Sequence, residues 1–370
     1  MNKDQRSGLS VNANNQNHVL RKSKRMGQRL KQPLRIAVQT WPDGIDPVVS
    51  ICCITYNHEN FIRECLDGFL MQETTFPVEV LIHDDASTDG TADIIREYEA
   101  RYPHIIKSIY QTENQYSKGL KINISFNLPR ARGKYIALCE GDDYWTKSEK
   151  LQIQSNFMDQ HPNCSICFHP AEICIYNNTE FKGSTTQFYT ETGFFDKSKL
   201  FYEGGSSAPT ASLLFRKSHF SALPSWLNSS PVGDMPLKLI LSYRGDVGFI
   251  NRIMSVRRLG TPGSWNVRTR GNKQRETNYL NGMIKMLHSF NSFSGYAWNK
   301  EVLEKIFLYE TQKNILGADP WCDLSKKYPD IYRWLNWKAK LRINLQKYYF
   351  RLSRKYRILE NDKILKILTS

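Results

Sequence analysis

The order of apolar segments predicts an α/β fold: an open, mostly parallel, doubly wound sheet with a helical C-terminal extension. Two observations carry that expectation. From Val48 onward, short continuous apolar runs alternate with amphipathic stretches, the pattern of strands covered by helices on both faces. Three of these runs end in polar, acid-rich turns: Thr55-Tyr56-Asn57, Asp84-Asp85 and Glu140 to Asp143. Ligands of such sheets bind beyond the carboxyl ends of the strands, so these turns are expected to converge on a site.

The elements follow in order. Val48 to Thr55 is an unbroken apolar run, which reads as a strand buried on both faces. Phe61, Cys65, Leu66, Phe69 and Leu70 then fall on one helical face. Val78 to Ile82 is a second strand, and Ser87-Thr88-Asp89-Gly90 is a turn that caps a helix from Thr91 to Tyr102. Ile105 to Tyr110 and Tyr135 to Cys139 are further strands. A helix over Glu149 to Gln160 and a strand near Cys164 to His169 come next. Beyond a polar stretch to Gly205, we expect a strand at Ala211 to Phe215 and a helix opening near Gly233-Asp234. Short strands at Val247 to Ile250 and Met254 to Val256 follow, then two helices within 275–316.

Bulk properties restrict the function classes. Of the 370 residues, 40% are apolar and 24% charged, a globular composition with room for a sizeable core. The formal net charge of +15 invites a nucleic-acid reading, but it sits at the ends. Residues 1–47 hold nine basic and three acidic residues, and residues 330–370 hold eleven and three, which leaves the centre near neutral. Basic ends suit an anionic membrane surface or a polyanion, and charge alone does not choose between them, while the neutral centre argues against nucleic acid. No apolar run is long enough to span a bilayer and the polar N-terminus resembles no secretory signal, so the expected location is cytoplasmic. Eight cysteines in that setting are expected to be mostly reduced thiols. Cys164-x-x-Cys167 between histidines has the form of half a zinc site, but its alternating apolar pattern reads as a buried strand.

Asp142 and Asp143, after a strand and preceded by Glu140, suit a divalent cation. Bare carboxylates would repel a nucleoside diphosphate, whereas carboxylates holding Mg²⁺ or Mn²⁺ attract it through the metal. The strings VSICCITYNH, VEVLIHDDASTDGT and GKYIALCEGDDYW, in this order and spacing, resemble family 2 glycosyltransferases of the GT-A fold. The likeness runs most clearly from Val48 to Gln160. It continues more loosely through SAPTASLLFRK, VGDMPLKLIL and MSVRRLGTPGSW, as in bacterial members that build surface polysaccharides.

The resemblance implies roles by position. Thr55 and Tyr56 would border the nucleotide base, and Asp85 would hydrogen-bond it with Asp84 beside it. Asp142 would face the ribose and the metal, and Asp143 would be the principal metal ligand. Asp234 matches the residue that deprotonates the acceptor in an inverting mechanism. Asp234 also precedes a helix, where a carboxylate caps and complements the dipole, a role compatible with that of a base. Where the family carries an Arg-Asn pair, this chain reads KGLKINISFNLPRARG, so a basic phosphate contact is expected from Lys118, Lys121 or a neighbour. Trp145 and Trp265 are candidates for sugar stacking, but large aromatics are more often packing residues.

The expected organisation is a basic disordered arm over 1–47, a GT-A domain over 48–270, a helical extension over 271–330 and a basic amphipathic helix over 331–370. In the last, Trp334, Trp337, Leu341, Leu345, Tyr348, Leu352, Tyr356 and Leu359 line one face. Lys340, Lys347, Arg351, Arg354 and Arg357 line the other. Such a helix fits peripheral contact with the inner face of the cytoplasmic membrane, or packing on protein. The expected activity is transfer of a sugar from a nucleotide-sugar, by expectation a UDP-sugar, to a saccharide or lipid-linked saccharide acceptor. Two rivals predict different features. A nucleotidyltransferase would carry a Gly-rich basic loop after the first strand, which CITYNHEN lacks. A non-catalytic protein using its basic ends on nucleic acid would show steeply salt-dependent binding, a reading the neutral centre argues against.

Overall fold

The computed structural model describes residues 29–176, 189–203, 208–220, 223–269, 271–317, 323–334 and 340. The chain divides into two compact units. One comprises Met1–Phe195, Ala208–Ser221 and Gly245–Arg258, the other Asp196–Ser207, Ala222–Arg244 and Leu259–Ser370. Residues 48–270 therefore contribute to both.

The strands are β1 (Leu34–Arg35), β2 (Val49–Thr55), β3 (Glu73–Thr74), β4 (Val78–Asp84), β5 (Ile106–Tyr110), β6 (Tyr135–Glu140) and β7 (Tyr144–Trp145). They continue as β8 (Cys164–Phe168), β9 (Ala171–Ile175), β10 (Gly193–Phe194), β11 (Leu214–Arg216), β12 (Asp246–Phe249) and β13 (Ser255–Leu259). Eight of them form the main sheet in the order β10-β12-β8-β11-β6-β2-β4-β5. The half β6-β2-β4-β5 is parallel throughout. In the other half β12 runs parallel to β8, while β11 is antiparallel to both β8 and β6. A second sheet has the order β7-β13-β9.

Every residue of β4 is buried, and so is every residue of β2 except Ile54. Each fully buried aliphatic side chain there contributes about 1.5–3 kcal/mol. Glu79, the carboxylate near the start of β4, is only 5% exposed and is fully engaged. It accepts from Ser50 Oγ at 2.6 Å, from the Arg132 N–H at 2.7 Å and from Arg132 Nε at 3.1 Å. The helix Ile62–Leu70 buries Ile62, Cys65, Leu66, Phe69 and Leu70, the single face its spacing dictates. Gly68 lets that helix touch β7, since a Cβ there would lie 3.0 Å from the Trp145 backbone nitrogen and oxygen.

The expected arm over 1–47 does not extend to residue 47. β1 pairs antiparallel with β3, Leu30 N–H donates to the Thr75 carbonyl at 2.7 Å, and Ile36 enters the core at 2% exposure. Ile36, a backbone partner for an edge strand and the buried Gln39 amide, which donates to the Leu34 and Thr74 carbonyls, hold this stretch, and none of them produces a periodic pattern. Cys164-Ser-Ile-Cys167-Phe is strand β8, buried along its length. Trp145 is a packing residue, 2% exposed, with its ring 4.8 Å from that of Phe69.

In the second unit the main helices are Asp234–Arg244, Lys273–Phe293 and Asn299–Leu316. The last two are the helices expected within 275–316. Asn272 caps the first of them by accepting from the Arg275 N–H at 3.0 Å, and Gly317 ends the other in the left-handed conformation at φ 60°. Trp265 packs on Tyr279, with ring centroids 4.8 Å apart. Among the described residues no helix is long and apolar enough to cross a membrane. Apart from residues 334 and 340, the amphipathic stretch read over 334–359 lies outside the described residues.

Candidate active site

The register of the parallel half gathers the acid-rich turns. Thr55 is the partner of Asp84 across β2 and β4, and Ile54 is the partner of Glu140 across β2 and β6. Tyr56, Asp85 and Gly141 to Asp143 therefore leave neighbouring strands at one edge of the sheet. Thr55, Asp84, Asp85, Asp142 and Asp143 are between 2% and 9% exposed, whereas Tyr56 is 39% exposed. The structure brings these six expected residues together. Asp234, the seventh, belongs to the second unit.

The first two turns are stitched to each other. Asn57 and Ala86 both hold left-handed backbone, φ 56° and 63°, which costs a non-glycine residue about 1–2 kcal/mol. Asn57 N–H donates to Ser87 Oγ at 2.9 Å, and Thr88 N–H returns a bond to Asn57 Oδ1 at 2.8 Å. Asp89 is a turn residue, as expected, accepting from the Thr91 and Glu59 amides at 3.0 and 3.1 Å. These bonds offset the strain.

Asp84 accepts from the Ser87 hydroxyl and amide, and burial pushes its carboxyl above the usual range against those bonds. Asp85 accepts from the Gln115 amide at 2.8 Å and the Tyr116 amide at 3.0 Å, with His83 Nε2 at 3.4 Å. It thereby anchors the loop after β5, a role the sequence did not disclose. A carboxylate offers about four lone-pair sites, so these bonds leave capacity for a base. Asp143 is pushed well above the usual carboxylate range, first by burial and then by the charges of Asp142 and Glu140.

That crowding fits a cation. Among the described residues no group of three or more His, Cys, Asp or Glu is arranged to enclose a metal. Asp142 and Asp143 would thus be few protein ligands, with the remainder coming from phosphate and water, the habit of Mg²⁺ and Mn²⁺ at phosphate sites. Two buried polar atoms beside the turn, Thr55 Oγ1 and His58 Nδ1, have no hydrogen-bond partner. Both face Gly141, where a Cβ would lie 2.6 Å from the first and 2.9 Å from the second. Burial lowers the His58 pKa, which favours a neutral ring able to accept a hydrogen bond.

Lys118 pairs with Glu113 on the surface, and burial lowers the pKa of Lys121. The cation bound at the acidic turn is Arg258, which the sequence reading did not single out. Its Nη1 donates to the Asp142 carbonyl at 2.7 Å and its backbone N–H to Asp143 Oδ1 at 2.8 Å. The available signal was the pair Arg257-Arg258 directly after the short apolar run Met254 to Val256, which does not say what either arginine binds.

Within the second unit, Asp234 is the first residue of its helix. Its Oδ2 accepts from Lys238 Nζ at 3.0 Å, a pair in which the lysine side chain is 2% exposed and the aspartate 31%. Asp234 thus lies inside the first turn and does not precede the helix as expected; it is part-exposed, and its charge complements the helix dipole.

Comparison with known proteins is consistent with this geometry. The family model described as Glycosyl transferase family 2 matches residues 50–223. The uncharacterized protein Rv1520 of Mycobacterium tuberculosis is 37% identical over 253 residues, covering 65% of this chain and 69% of that protein. The poly(ribitol-phosphate) beta-glucosyltransferase of Bacillus spizizenii is 34% identical over 116 residues, 30% of this chain and 17% of that one. Among solved structures, S. aureus TarS superposes with a TM-score of 0.56 at 15% identity. That match covers 81% of this chain and spans 52% of the TarS chain. TarS 1-349 in complex with UDP-GlcNAc gives a TM-score of 0.52 at 15% identity, covering 84% of this chain and 91% of that one. These structural likenesses establish the fold, which is GT-A.

Proposed function

The chain belongs to glycosyltransferase family 2, and on that premise we propose that it is an inverting, metal-dependent transferase. It would use a nucleotide-sugar, by preference a UDP-sugar, and a saccharide or lipid-linked saccharide acceptor in cell-surface polysaccharide synthesis. The observation that supports this best is the strand register, with Thr55 opposite Asp84 and Ile54 opposite Glu140, which sets three polar turns side by side. Thr55 and Tyr56 would border the base, Asp85 would hydrogen-bond it with Asp84 beside it, and Asp142 would face the ribose. Asp142 and Asp143 would hold Mg²⁺ or Mn²⁺. When bound, that ion would neutralise the diphosphate and stabilise it as a leaving group. Asp234 would accept the proton of the acceptor hydroxyl as that oxygen attacks the anomeric carbon.

Incubating the purified protein with a panel of sugar nucleotides, with Mn²⁺, with Mg²⁺ and with excess chelator, tests the reading. Metal-dependent release of nucleoside diphosphate from one donor is expected, and no release from any donor would overturn it. The peripheral membrane contact belongs to the same proposal and rests on the sequence pattern of 334–359 alone. Sedimentation with anionic and neutral vesicles tests it, and indifference to both would exclude it.

A further inference from the structure

Arg258 is bound to both halves of the acidic turn. Its main chain holds the Asp143 side chain, and its side chain holds the Asp142 main chain. The other end of the guanidinium pairs with Glu64 on the helix Ile62–Leu70. Two rings fix its plane, Tyr144 at 4.5 Å and Phe61 at 5.2 Å from the guanidinium carbon. The arginine side chain is 10% exposed and that of Glu64 is 57% exposed. A planar fork spans a carbonyl and a carboxylate from two separate nitrogens while its face lies against the rings, whereas an ammonium is a single compact donor centre with no face to stack.

The need for such a brace follows from the charges. Glu140, Asp142 and Asp143 lie within four residues, and like charges at that spacing push apart unless something holds them. The β7 and β13 pairing, Trp145 with Ser255 and Tyr144 with Val256, brings Arg258 alongside the turn. The backbone bond to Asp143 forms whatever side chain occupies position 258. The bond to the Asp142 carbonyl and the stacking depend on arginine.

We propose that Arg258 is a positioning residue, which holds the Asp142-Asp143 turn in the arrangement that takes a divalent cation together with a nucleoside diphosphate. The proposal rests on the donor-site reading above. Arg258 acts through Asp142 and Asp143 and is not itself a catalytic residue. Outer partners that orient metal ligands typically matter by about 10- to 100-fold in affinity, and the effect of Arg258 belongs in that range.

The test is Mn²⁺ binding in the presence of UDP, followed by electron paramagnetic resonance, for wild type, Arg258→Ala, Arg258→Lys and Glu64→Gln. Thermal unfolding is recorded for each protein. Arg258→Ala should weaken Mn²⁺ binding by about 10- to 100-fold while keeping a cooperative unfolding transition. Arg258→Lys should recover only a minor part of that loss. Glu64→Gln, an exposed change, should shift binding in the same direction by a smaller factor. Wild-type affinity in Arg258→Ala or in Arg258→Lys overturns the proposal, as does loss of cooperative unfolding in both together with unchanged binding in Glu64→Gln. If wild type releases UDP from a donor yet binds no Mn²⁺, the positioning role fails and the transferase reading stands. If wild type does neither, both fail.

Discussion

Gly141 and Thr55 approach so closely that a Cβ at position 141 would lie 2.6 Å from the Thr55 hydroxyl oxygen and 2.8 Å from its Cβ. Both neighbours belong to a buried strand end, so neither can withdraw by rotating a long side chain. The glycine is what allows the acidic turn to lie directly over the end of β2, with His58 on its other side.

Gly141→Ala is therefore expected to shift the turn. Overpacking of this kind costs about 1–3 kcal/mol, so the unfolding midpoint should fall modestly while donor binding falls much further. Thermal unfolding beside nucleotide titration checks it. An alanine variant with wild-type donor affinity would show that the turn tolerates displacement.

Asp143→Ala should reduce transfer to the level of wild type in excess chelator, because either change deprives the diphosphate of its counter-charge. The variant should remain folded, since it removes a buried carboxyl that burial and its acidic neighbours already disfavour in the charged form. Full activity in the variant or in chelator would exclude a metal-dependent step.

Asp234→Asn keeps the size and some capping ability of the side chain but cannot take up a proton at neutral pH. Turnover should fall by about 10²-fold or more with donor affinity little changed. Thermal unfolding must accompany the kinetics, because Asp234 also pairs with the buried Lys238. A drop in stability with unchanged turnover would reduce Asp234 to a cap and ion-pair partner.

Lys150 predicts a pH effect on stability. It is fully buried, donates to Gln154 Oε1 at 2.7 Å and lies 3.9 Å from the centre of the Trp145 ring. Burial pushes its ammonium from 10.5 down to about 7. Between those values the unfolded chain holds the proton and the folded chain does not, so this residue makes stability rise with pH across that window. Below it both states are charged, and the full cost of burying the ammonium is felt. The unfolding midpoint of wild type should therefore gain on that of Lys150→Met between about pH 7 and about pH 10. A difference that stays constant over that range would rule the shift out.

Much of this architecture is legible in the chain. The runs around Val49–Thr55, Val78–Asp84 and Tyr135–Glu140 show their strands, because a strand covered on both faces must be apolar at every position. The same reasoning locates the acid-rich turns and hence most of the candidate site. The stretch Asn123–Arg130 was less legible, because its work is done by polar side chains. Asn127 Nδ2 donates to the Cys53 carbonyl at 2.9 Å and Arg130 Nη2 to that of Ile82 at 2.8 Å, and neither bond leaves an apolar period.

The sequence by itself determined the longer strands and helices and the identity of the acidic turns, since those depend on neighbours within a few positions. It did not show the short pairings at Leu34–Arg35, Glu73–Thr74, Tyr144–Trp145 and Gly193–Phe194, or the strand Ala171–Ile175. Only the tertiary structure decided which distant groups serve those turns. Arg258 reaches Asp142 across a separation of 116 residues, and Gln115 and Tyr116 reach Asp85 across 30 and 31. It also decided that Ile36 joins the core and that Asp234 belongs to a different compact unit from Asp143. The physical reason is that periodicity records which face of an element is buried. The partner of a polar group far along the chain is chosen by sheet register and packing, which have no local signature.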